Sequence, residues 1–192
     1  MTLLAKLCER VRSSSGHTDM GGVYENAFPP ITAEDVRGAE ANLGFDLPPL
    51  LRDIYIGVGN GGFGPGYGLI GIDCGRPFHP GISSDLVGLY RSFRQRPSCG
   101  EPWAAGLLPI CHWGCSYFSY IDCALPAAPV MALDEDSHGH GPWGCAFSLH
   151  AASFKEWMER WIGGEVLWKS FNAVGAPKFW FQEHPNGFGS PA

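Results

Sequence analysis

Cys111, His112, Cys115 and Cys123 stand close together in the chain, and thiolate and imidazole are the ligands that zinc prefers. Structural zinc sites present their ligands as paired knuckles, and no second pair at the usual spacing accompanies these residues. The same thiols could act as nucleophiles if a base and an oxyanion site were held beside them. His79, His112 and His150 are the available bases, but no local pattern ties any of them to a cysteine. The cysteines lie in or beside apolar segments, where a free Cys serves as a small hydrophobe. Gly57-Val58-Gly59-Asn60-Gly61-Gly62 matches the dinucleotide pattern GxGxxG. That chemistry needs a strand before the glycines and a helix after them, so that helix amides face the pyrophosphate. Here a helical pattern comes first, and Phe63-Gly64-Pro65-Gly66 cannot follow as a helix. The residues therefore predict no catalytic site, no cofactor and no metal.

Charge offers a different chemistry. Asp134-Glu135-Asp136 opens a polar loop that runs through Gly139 and imitates a calcium loop, but Cys145 stands where the bidentate Glu belongs. Three carboxylates with no Lys or Arg within seven residues on either side form a negative patch suited to a basic protein partner. These three are the candidate partner-binding residues. Arg91, Arg94 and Arg96 complement the C-terminal dipole of a helix.

These residues must be held by a framework of short elements. Leu3, Leu4, Leu7 and Val11 fall on one face of an N-terminal helix. Ser13 to Pro30 reads as a loop. Thr32 caps a second helix with Asp35 three residues on, Ile31 and Val36 form a hydrophobic staple, and Gly44 stops it. Pro48-Pro49 begin a third helix with Leu51, Ile54 and Tyr55 on its apolar stripe. Gly68 to Ile72 reads as a strand and Ser84 to Gln95 as a helix. Strands follow at Leu107–Trp113, Tyr117–Cys123, Val130–Leu133 and Ala146–Leu149. Ser153 and Glu156 make a capping box for a last helix through Ile162. Consecutive strands with short connections predict an antiparallel sheet.

Composition limits the function. The 192 residues suit one domain spanning the chain, and 45% apolar against 17% charged residues excludes a disordered chain. With 27 Gly and 16 Pro, turns are frequent. A net charge of −6 argues against direct nucleic-acid binding. No apolar run reaches membrane-spanning length, and Lys6, Glu9, Arg10 and Arg12 interrupt any leader, so the expectation is a cytoplasmic protein with reduced thiols.

The segment Ile31 to Asp73 resembles the signature of the SMI1/KNR4 family, within the SUKH superfamily. The carrying residues are Ile31 to Gly44, then Leu47-Pro48 with Leu51 and Tyr55, then Asn60-Gly61-Gly62-Phe63-Gly64-Pro65-Gly66-Tyr67-Gly68-Leu69-Ile70-Gly71. Leu108-Pro109-Ile110 through Trp113-Gly114-Cys115, Tyr120-Ile121-Asp122-Cys123, and the helix Ser153 to Ile162 extend the likeness over residues 30–164. The resemblance implies an α+β fold, with a central, mostly antiparallel twisted sheet and helices packed around it. It also implies a non-enzymatic protein-binding module. Bacterial members are commonly immunity proteins that neutralise polymorphic toxins, often nucleases, so a basic toxin domain is the leading partner. A regulatory scaffold with a host partner is the alternative, and a Cys- or metal-dependent enzyme the remote one.

Overall fold

The computed structural model describes residues 1–13, 18, 27–73, 75, 77, 84–95, 103–135 and 147–171. The helices among these residues are α1 (Leu3–Ser13), α2 (Ala33–Leu43), α3 (Pro49–Gly57), α4 (Leu86–Arg94), α5 (Phe154–Ile162) and the single turn α6 (Trp168–Phe171). The strands among them are β1 (Leu107–Gly114), β2 (Tyr117–Asp122), β3 (Val130–Asp134) and β4 (Phe147–Ala151). The strands form one antiparallel meander in the order β1-β2-β3-β4, so this is an α+β fold.

Local chemistry sets the helix ends. The Thr32 hydroxyl accepts from the Asp35 amide at 3.2 Å, while the Asp35 carboxylate accepts from the Thr32 amide at 2.9 Å. Gly44 ends α2 in the left-handed conformation, φ 84°, a region that glycine enters without penalty. Pro49 opens α3, where a missing N–H costs nothing. Ser153 caps α5 by accepting from the Glu156 amide at 3.1 Å.

One buried carboxylate joins α2 to α3. Glu40 Oε1 accepts from the Leu47 amide at 2.8 Å and from Arg52 at 2.7 Å and 3.1 Å. Removing Glu40 strands a buried donor and a cation together, so Glu40→Ala should lose about 2 kcal/mol in urea unfolding. Arg52→Ala should lose less, because Glu40 keeps the Leu47 amide and the Arg52 side chain is partly exposed. Equal losses would place the stabilisation in the ion pair instead.

The strand expected at Gly68 to Ile72 is not one. Only an isolated antiparallel bridge forms there, between Leu69 and Cys111. The segment first folds back on itself, with the Leu69 amide on the Phe63 carbonyl at 2.8 Å and the Gly62 amide on the Leu69 carbonyl at 3.0 Å. Gly61, Gly62, Gly64, Gly66 and Gly68 all have positive φ, which breaks strand geometry. This glycine-rich loop still lines β1: the Tyr67 amide reaches the His112 carbonyl at 3.0 Å and the Ile70 amide the Ile110 carbonyl at 2.9 Å. It thereby covers a sheet edge that would otherwise expose unpaired backbone groups. Asn60 anchors the far end of the loop, donating to the Ile72 carbonyl at 2.5 Å and accepting from the Ile72 amide at 2.8 Å.

The core fills both sides of the sheet. On one face, Phe93 of α4 packs edge-on against Phe118 and Tyr120, and Trp103 packs against Tyr120 and Phe147. On the other, Trp113 and His150 meet α5 and α6 through Trp157 and Trp168. Arg10 of α1 stacks over Trp161 of α5 at 4.3 Å.

Candidate functional site

Two acidic surfaces stand out among the described residues. The first is the sequence candidate. Asp134 is the last residue of β3 and lies across from Tyr117 of β2. Its Oδ1 accepts from the Ser116 hydroxyl at 3.2 Å, and the Glu135 amide donates to the Ser116 carbonyl at 3.1 Å. Both side chains are half-buried at the end of the sheet, not on an open turn as their polarity suggests. The β1–β2 turn, with Gly114 and Cys115 both at positive φ, brings Ser116 back onto them. Tyr117 stands edge-on to Trp168 at 5.3 Å, so this carboxylate rim borders an aromatic surface. Asp136 lies outside the described residues.

The second surface is a cleft of about 550 Å³ between α2 and α4, lined by Glu34, Asp35, Asp73, Asp85 and Arg91 among others. Each carboxylate is set by local structure. Asp35 is fixed by the α2 capping box, and the Thr32 hydroxyl holds its carboxyl below the usual range. Asp85 caps α4, accepting from the Gly88 amide at 2.7 Å. Asn60 holds the Asp73 carbonyl at 3.0 Å, which fixes the backbone at the cleft wall. Gly38 leaves open space where a side chain would fill the cleft. Arg91, the one cation among the described lining residues, donates to Asn42 at 2.8 Å. Among the described lining residues, four carboxylates against one guanidinium favour a cationic visitor. Sequence reasoning read Asp35 only as a cap. It missed the cleft because residues 34, 35, 73 and 85 are far apart in the chain, and no local pattern links them.

A family model, SMI1 / KNR4 family (SUKH-1), matches residues 30–160. The chain belongs to this family. No curated protein matches it. The SUKH-1 match contains the glycine-rich loop, the cleft, the whole sheet and Asp134 to Asp136, while α1 and α6 fall outside it.

Among the described residues of this SUKH-1 chain the cysteines and histidines do not converge. Cys111 is buried, with its Sγ 3.1 Å from the Pro65 carbonyl, while Cys115 is exposed at the β1–β2 turn. Burial, helped by Asp122, pushes the Cys123 thiol well above its ordinary pKa, which suppresses the thiolate. His112 stacks on Tyr67 at 5.9 Å, and His150 is buried on the opposite face of the sheet. Among the described residues no three His, Cys, Asp or Glu side chains gather as a metal set. His79, Cys145 and Arg96 lie outside the described residues. Gly57 closes α3, so the GxGxxG glycines follow a helix and shape the loop along β1.

Proposed function

We propose that this protein is a non-catalytic binding module of the immunity type, acting in the cytosol by occluding a basic toxin domain. Membership of the SUKH-1 family carries the reading. The carboxylate cleft between α2 and α4 and the rim of Asp134 and Glu135, which Asp136 follows in the sequence, support it, because both suit a cationic partner. Tyr117 and Trp168 beside the rim supply the aromatic area that anchors tight interfaces.

The test uses a toxin domain encoded beside this gene. Association should be fast at low salt and slow steeply as salt rises. Two charge-neutralised variants separate the surfaces. Asp134→Asn/Glu135→Gln/Asp136→Asn empties the rim. Glu34→Gln/Asp73→Asn thins the cleft while sparing the capping carboxylates Asp35 and Asp85. The surface in use should show about tenfold slower association and a weaker salt dependence, with little change in melting temperature. Wild-type rates in both variants would sink acidic recognition. Absence of any neighbouring toxin, with a host protein bound instead, would favour the regulatory scaffold.

A further inference from the structure

Five groups from four separate elements and one connecting segment meet inside the α5 side of the core. The Trp113 indole donates to Ser119 Oγ at 2.9 Å, and Ser119 Oγ lies 3.2 Å from His150 Nδ1. The Trp157 indole also donates to His150 Nδ1, at 3.2 Å. On the other side of the ring, Nε2 lies 3.2 Å from the Leu167 carbonyl. Indole N–H groups only donate, so Nδ1 must be an acceptor and the proton must sit on Nε2, where Leu167 accepts it. The single Nδ1 lone pair is then shared between the Trp157 indole and the Ser119 hydroxyl, and only the neutral ring offers it. A proton on Nδ1 would set N–H against the N–H of Trp157. Ser119 could turn its hydroxyl away, but the indole of Trp157 could not.

Among the described residues, the charged groups around the ring do not rescue that proton. From α5, Arg160 donates to the His150 carbonyl at 2.8 Å and opposes a second positive charge. Glu165 favours the charge but is already paired with Arg160 at 2.5 Å, and Glu156 acts on Arg160. From β1 and β2 come only Trp113 and Ser119. Burial, the largest influence, holds the imidazole at a pKa of about 4.

We propose that His150 is an acid-operated catch: proton uptake forces Trp157 off the imidazole and releases α5 from β4, while the α2–α3–α4 side stays folded. Two further observations favour local release. α5 meets β4 and α1, whereas α1 is also held to α3, where Cys8 Sγ lies 3.7 Å from the Gly57 carbonyl, so α5 can leave the sheet while α1 stays with α3. The opposite side has its own ties, Glu40 to Arg52 and Asn60 to Ile72, neither of which involves His150. The sign follows from linkage. The folded pKa is depressed below the unfolded value near 6.5, so the stabilisation is complete above about pH 6.5 and is lost as pH falls toward about 4.

Amide hydrogen exchange on the whole chain at pH 7 and pH 5, corrected for intrinsic rates, tests this. At pH 5 carboxylates remain largely ionised, and the linkage gives roughly a 20-fold rise in α5 opening relative to pH 7. The amides of α5 should show that rise, and those of α2 and α3 should not. His150→Gln, which does not titrate, should give equal α5 protection at both values. Unchanged wild-type protection, or an equal loss throughout the molecule, would overturn the proposal. So would the same loss in the variant. If the variant does not fold, the wild-type imidazole decides by NMR: titration near 6.5 overturns the catch, and titration near 4 together with the α5-specific exchange supports it.

Discussion

Gly66→Val should lower the melting temperature by roughly 10 °C, from a loss of about 4 kcal/mol. Two separate penalties combine. Gly66 has φ 59°, a conformation that disfavours any β-carbon and a branched one most. A Cβ at that position would also lie 2.7 Å from Cys111 Sγ, 2.8 Å from the His112 carbonyl oxygen and 3.0 Å from the Trp113 ring. The carbonyl belongs to β1, so relief would require moving the sheet. Gly44→Ala is the control. Its φ is 84° but nothing lies within 4 Å of a new Cβ, so it carries the conformational penalty alone, about 1–2 kcal/mol. Thermal melts of both variants separate collision from strain. If Gly66→Ala matches Gly44→Ala, the close approach to β1 is not real. Tyr67→Asp should cost less than Gly66→Val, because Tyr67 is half-buried and stacks on His112 at 5.9 Å, where a carboxylate can stay near water.

That contrast shows which information is local. The capping box at Thr32, the Ser153 cap and the stop at Gly44 depend on residues three or four positions apart and were readable from the sequence, whereas the box expected at Ser153 forms only by half, because the Glu156 carboxylate accepts from the Ala152 amide at 3.2 Å. The glycine-rich loop was readable as irregular, but not as a cover for β1. The expected strand at Gly68 to Ile72 shrank to one bridge because consecutive positive φ angles turn the backbone before a ladder can form. The acidic rim was readable as charge, but not its burial, since Ser116 reaches Asp134 only through the β1–β2 turn. The cleft and the His150 cluster were not readable. Trp113, Ser119, His150, Trp157 and Leu167 have no common spacing, and only the pairing of β2 with β3 and β3 with β4 brings Ser119 toward His150.

Trp103→Ala should be as damaging as any single change in the described core, with a loss of about 4 kcal/mol in denaturant unfolding. The indole is fully buried and lies 4.9 Å from the Phe93 ring, 5.1 Å from Tyr120 and 5.8 Å from Phe147. It therefore links α4 to β2 and β4 across one face of the sheet. Its Nε1 donates to the Leu107 carbonyl at 2.9 Å, and its own carbonyl accepts from Arg94 at the end of α4 at 2.5 Å. Trp103→Phe keeps much of the ring packing but withdraws the donor from Leu107, so it isolates the hydrogen-bonding part, about 1–2 kcal/mol. The Ala variant adds a cavity that rigid neighbouring rings cannot close. Because α4 also forms one wall of the acidic cleft, a loosened α4 should disturb that surface before it disturbs α5 on the opposite face. Near-UV circular dichroism and exchange of the α4 amides would report this order. A loss below about 1 kcal/mol for Trp103→Ala would mean that the aromatic cluster tolerates a void, and that α4 is held to the sheet by other contacts.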